Sequence, residues 1–271
     1  MDYLNGIINY FKIQQIDAIK GIVTPHARDL KDLGKNKIDF LRDLSKENLN
    51  KICNVSGGKL IDMDLGEEWA FTKDVMNGVT VHVVYQYYGD EFGDGEEDEI
   101  QYFFSGHNVS VISGEDLVHY CEIISNFMEF AITKKSLAQV YSGVPSFMLK
   151  TALKERNMPF SLVEKKSYPE IAEFIGAGYK DKNLFNFKME TFPEFIIELE
   201  GDLTKIVEFK LDGGLIDKLP VYDTERLIIM MINQCLRKIK LILDEEGKKP
   251  PKICNLMFSG YYKKKFPEKF E

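Results

Sequence analysis

The chain has 271 residues, 44% of them hydrophobic and 12% aromatic, and a net charge of −8. That length fits one large domain or two modest ones able to bury a core without metal or disulfide staples. The acidic balance argues against general nucleic-acid binding and against anionic membranes, and no uncharged apolar run approaches the length needed to span a bilayer. Cys53, Cys121, Cys235 and Cys254 form no CxxC pair, so a reduced, cytoplasmic setting is expected. The opening MDYLNGIINYFK has no basic region before an apolar core and does not read as a signal peptide.

In chain order, residues 1–56 read as an N-terminal helical region. Leu4, Ile7, Ile8, Phe11, Ile16 and Ile19 suit an amphipathic helix over 2–22. Thr24-Pro25 predicts a capped helix that Gly34 would stop, and 36–54 suit one or two short helices ended by Gly57-Gly58. Residues 57–135 read as a first β-hairpin/helix unit. The clearest strand is VTVHVVYQY from Val79, with valines and tyrosines on one face and Thr80, His82, Val84 and Gln86 on the other. An acidic loop follows, then IQYFFSG as the partner strand, a short extended piece NVSVI, and a helix from Ser113 to Ala131 with capping-box-like Ser113 and Asp116.

Residues 136–190 read as a mixed helical connector, in which Ser146 caps FMLKTALKER. Residues 191–247 read as a second β-hairpin/helix unit: EFIIELEG, its partner DLTKIVEFKLDGG, the extended piece LIDKL, and a strongly apolar helix over 222–243 with Asp223 as its N-cap. That helix is expected to lie centrally, with 113–131 nearer the surface. Residues 248–271 form an aromatic and basic tail. The order strand, strand, extended piece, capped helix occurs twice, with Gly106 matching Gly213 and Leu117 matching Leu227, so a duplication is one reading and chance recurrence of a common motif the other. Either way the expected fold is α+β: an N-terminal helical region, then two β-hairpin-plus-helix units with mostly antiparallel sheet.

FPEFIIELEGD at 192–202, the stretch to Gly213-Gly214, and LPVYDTERL at 219–227 carry a resemblance. Over about residues 155–236 the chain resembles an uncharacterised prokaryotic family, domain-of-unknown-function family 3786. The resemblance implies a strand pair followed by an apolar helix and no known activity. The cysteine-rich iron–sulfur segment of some relatives has no counterpart in this sequence.

Candidate sites are sparse. His82, His107, Asp90 and Asp94 are the metal-ligand candidates, since zinc needs three or four converging ligands and the two strands could bring both histidines near each other. The bland alternative is a set of scattered, hydrogen-bonded histidines, with His119 on a helix and His26 at a helix start. The loop acids Asp94, Glu96, Glu97 and Asp98 miss the calcium-loop pattern, because Phe92 and Gln101 stand where ligands are needed. The plain reading is a solvated hairpin loop, and a docking loop for a basic partner is the other. Tyr261, Tyr262, Lys263, Lys264 and Lys265 interleave aromatic and basic side chains. The plain reading is a tail that packs its aromatics back onto the domain and leaves the lysines in water; the alternatives are docking to an acidic protein partner or, against the overall charge, nucleic acid. No GxSxG, GxGxxG or Walker lysine occurs, and no cofactor is identifiable. The leading expectation is a non-catalytic interaction or accessory module acting on a protein partner or as a homo-oligomer. The alternative is a metal-assisted hydrolase near the 79–107 hairpin.

Overall fold

The computed structural model describes residues 9–19, 23–89, 98–134, 141–180, 185–201, 208–214 and 219–270. The fold is α+β, with two four-stranded antiparallel sheets. The chain divides into two compact units, Met1–Lys135 with Ser259–Lys264, and Ser136–Phe258 with Lys265–Glu271.

In the first unit α1 (Ile13–Asp17), α2 (Pro25–Leu41) and α3 (Lys46–Ser56) precede a meander β1 (Lys59–Ile61), β2 (Trp69–Met76), β3 (Val79–Tyr87) and β4 (Asp98–Ser105), then α4 (Gly114–Thr133). The Thr24 hydroxyl caps α2 by accepting from the Ala27 amide, with Pro25 at the first helical position. Gly34 does not stop this helix. A Cβ there would stand 2.7 Å from the Ile100 carbonyl oxygen, so the glycine lets α2 lie close against β4. The helix expected over 2–22 is confined, among the described residues, to Ile13–Asp17, because Phe11 is pulled into the sheet: it exchanges two backbone hydrogen bonds with Phe104 at 2.7 and 2.9 Å. NVSVI is not extended either; the Val109 and Val111 amides close tight turns on the Gly106 and Asn108 carbonyls, while the Asn108 amide donates to the Gly78 carbonyl.

Paired strand residues share a face. Phe71, Val83 and Tyr102 form one row on the face that carries α4, where the Tyr102 hydroxyl meets Ser125 Oγ at 2.9 Å. Phe71 and Val83 are fully buried, and each such side chain contributes about 2 kcal/mol. The opposite face holds a smaller core of Met63, Ala70, Val84 and Phe103, with Tyr10 and Ile61 packed on it.

In the second unit α5 (Phe147–Arg156) and α6 (Tyr168–Ile175) precede the meander β5 (Gly178–Tyr179), β6 (Phe185–Phe192), β7 (Phe195–Gly201) and β8 (Glu208–Asp212). α7 (Val221–Glu245) and α8 (Lys252–Leu256) follow; α9 (Gly260–Lys265) belongs, but for Lys265, to the first unit. The expected piece LIDKL lies mostly outside the described residues. Phe187, Leu199 and Phe209 form one row, and Lys188, Glu198 and Lys210 a row on the other, polar face. α7 begins at Val221, where Pro220 presets the entry and its carbonyl accepts from the Thr224 amide. Asp223 is therefore the third helical residue, and buried, rather than the cap. Ile228 and Met230 are buried, as an apolar stripe requires, but so are Glu225, Asn233, Arg237 and Lys240. These polar groups find partners: Arg156 Nε donates to Asn233 at 2.8 Å, Arg237 Nε donates to the Met257 carbonyl, and Lys240 donates to Asp244 and to the Lys269 carbonyl at 2.8 and 2.7 Å. α4 is as much a core helix as α7, since only Glu115 and Thr133 along it are fully exposed.

Candidate functional site

The hairpin histidines are not arranged alike. His82 lies on β3 between Thr72 and Phe103, on the face of the small core, and is only 3% exposed. Its Nε2 is 2.8 Å from Ser105 Oγ, and Tyr10 stacks edge-on at 5.0 Å. Its Nδ1 and the neighbouring Thr72 hydroxyl are buried with no hydrogen-bond partner among the described residues. Burial pushes the imidazole pKa down to about 4, with the Asp74 charge pulling the other way. His107 leaves the strand beyond Ser105, and its ring fills the space over Gly78 that a side chain there would need. Asp90, Asp94, Glu96 and Glu97 lie outside the described residues. Asp98 opens β4 and is held by Arg42 at 3.2 Å. Among the described residues no group of three or more His, Cys, Asp and Glu side chains is placed to hold a metal ion.

His119 sits on α4 beside Glu122 at 3.7 Å. His26 Nδ1 pairs with the buried Asp17 carboxylate at 2.8 Å, and that hydrogen bond raises the imidazole pKa above its ordinary value. All four cysteines are free thiols. Burial raises the pKa of each, Cys254 to about 12, which removes the thiolate a nucleophile would need. In the tail, the Tyr262 and Lys263 amides fold back on Ser259. Tyr261 stays 39% exposed and Lys264 and Lys265 face water.

A different surface, in the second unit, stands out. The sequence reading took FMLKTALKER only as a capped helix, and the cap is present: Ser146 Oγ accepts from the Leu149 amide at 3.3 Å. Ser146 is itself clamped, because the buried Glu225 carboxylate accepts both its amide, at 2.6 Å, and its hydroxyl. The turn so fixed presents Val144 at 66% exposure and Phe147 at 85%. Met148 beside them is exposed as well. Leu149 and Ala152 turn inward, so helical spacing puts Phe147, Lys150 and Lys154 together on the outward side of α5. Neither lysine is paired among the described residues. On α7, Tyr222 and Arg226 stand one turn apart, with the guanidinium 3.8 Å from the Tyr222 ring centroid. The result is an ordered apolar knob with Lys150 and Lys154 along one side of it. Its signal in the sequence was a phenylalanine opposite the apolar positions of its own helix. The clamp itself joins residues 79 apart and leaves no local trace.

No family model, no curated protein and no solved structure matches the chain.

Proposed function

We propose that the protein is a non-catalytic interaction module of the cytoplasm, working through protein–protein contacts, and that the outward side of α5 belongs to its contact surface. Phe147 carries this reading. It stands 85% exposed on a turn that Glu225 holds in place. Leaving such a side chain in water forgoes about 2 kcal/mol of burial. Aromatic, methionine and arginine side chains on a preorganised surface are the usual anchors of an interface. The tail Tyr261–Lys265 and the acidic loop remain further contact candidates, for a partner or a second copy. The kinship over 155–236 with family 3786 belongs to the same proposal and supplies no reaction. So does the reading of the two sheet-plus-helix units as duplicates.

The metal-assisted hydrolase is the second reading, and one contact favours it: His82 Nε2 and Ser105 Oγ stand at the spacing of a general base and a hydroxyl. It ranks second because substrate would have to reach a ring that is 3% exposed beneath Tyr10.

The test places a photo-crosslinking phenylalanine analogue at Phe147, and separately at exposed Val23, in the native cell. A protein adduct specific to position 147 is expected. Equal or absent crosslinking at the two positions would sink the proposal.

A further inference from the structure

The charge around Phe147 narrows what binds there. Lys150 and Lys154 follow it along the outward side of α5. No acid on that stripe neutralises the lysines; Glu155 lies towards the other flank of α5, near Arg156 at 3.5 Å. An apolar anchor flanked by lysines is complementary to an apolar side chain flanked by carboxylates.

Building on the interaction reading above, we propose that this face receives an acidic amphipathic helix of a partner protein. The partner's apolar side would seat on Val144, Phe147 and Met148, and its carboxylates would meet Lys150 and Lys154. A membrane fits less well. A bilayer or a nucleic-acid duplex is an extended polyanion that meets the field of the whole molecule, whose net charge is −8. A short helix feels mainly the charges within a screening length of about 8–10 Å, and along the outward side of α5 those are Lys150 and Lys154. The surface needs no reorganisation to bind, since the clamp orders the turn beforehand.

Fluorescence anisotropy of the whole protein tests this. The probe is a labelled amphipathic peptide with glutamate on one face and leucine and phenylalanine on the other. Its lysine-for-glutamate counterpart is the control. Saturable binding of the acidic peptide is expected. Phe147→Ser, and separately the double change Lys150→Glu with Lys154→Glu, should each weaken it at least about tenfold. Raising the salt should weaken wild-type binding but leave the residual binding of the double variant nearly flat. All these side chains are at the surface, so unchanged circular dichroism is expected to show the variants folded. The proposal is overturned by equal binding of the two peptides, by no binding of either, or by variants that bind like wild type. Sedimentation with phosphatidylserine vesicles that depends on Phe147, without peptide binding, would overturn it in favour of a membrane surface. A specific crosslink at position 147 with no affinity for the acidic peptide would overturn the partner's chemistry alone. Loss of the crosslink would remove the interaction reading as well.

Discussion

Gly106 and Gly213 hold the same place in two different sheets. Each follows the fourth strand of its meander, with φ of +111° and +116°, and a Cβ on either would strike the carbonyl oxygen of the turn joining the second and third strands, at Gly78 and Glu194 respectively. The likeness extends further. β2 and β6 are each eight residues long, both carry a register shift near their end, Asp74/Met76 and Glu190/Phe192, and both lead into a two-residue turn. Counted from the helix starts, Asp116 and Asp223 are both third residues, and both are buried. The natural alignment thus sets Leu117 against Thr224 rather than Leu227.

Gly106→Ala and Gly213→Ala should each destabilise by about 2–4 kcal/mol, since each combines a forbidden φ with a backbone clash. Gly66→Ala has a positive φ of +76° but nothing within 4 Å of the new Cβ, and should cost only about 1 kcal/mol. Urea unfolding of the three variants measures the difference, which isolates the clash.

His82 makes stability depend on pH on the acid side. Its folded pKa of about 4 lies below the unfolded value of about 6.5. The stabilisation is therefore complete above pH 6.5 and is lost as pH falls towards 4, by on the order of 3 kcal/mol. His26 works in the opposite sense. Its pKa is raised by Asp17, so its contribution is complete below the unfolded value and fades as pH rises through the folded one. Unfolding measured against pH should lose its acid slope in His82→Gln and its contribution near neutrality in His26→Asn.

The clamp at Glu225 predicts local loosening. Glu225→Ala removes the acceptor of two hydrogen bonds and should cost about 2–3 kcal/mol. Hydrogen exchange at Ser146 and through the first turn of α5 should accelerate, while the strands of the same unit keep their protection. Uniform acceleration across the unit would contradict a local role.

Lys240 and Asp244 should respond unequally. Asp244→Ala leaves a fully buried ammonium beside an apolar gap, at a cost of about 3 kcal/mol or more. Lys240→Met keeps the apolar stem among Phe258 and Phe270 and leaves Asp244, which reaches solvent, near neutral in cost. Thermal unfolding of the pair gives the order.

Much of the fold was legible because period and turn chemistry are local. Val79–Tyr87 alternates in residue type as a strand does, although both its faces are covered, Thr24-Pro25 and Ser45 cap the helices they precede, and the apolar repeat of α7 is unmistakable. What failed depended on distant partners. Gly34 reads as a breaker until Ile100 is placed against it, and Phe11 reads as helical until β4 offers an open edge. The candidate surface was half legible. The spacing of Phe147, Lys150 and Lys154 was present in the sequence, but which side of α5 would be covered depended on α7. Glu225 carries no local sign of a distant partner, and only the structure brings it to Ser146.

The first unit is not continuous in sequence. Ser259 donates its amide to the Val111 carbonyl and its hydroxyl to the Ser110 carbonyl, and Gly260 passes so close to Asp17 that no side chain would fit. Vectorial synthesis cannot therefore finish that unit when its sheet and α4 emerge. Residues 259–264 leave the ribosome only after residues 136–258 of the second unit have been made. The nascent first unit waits incomplete, with Ser110 and Val111 unsatisfied, through the translation of more than a hundred intervening residues. A stop codon or frameshift anywhere in the second unit would leave the first without its closing turn.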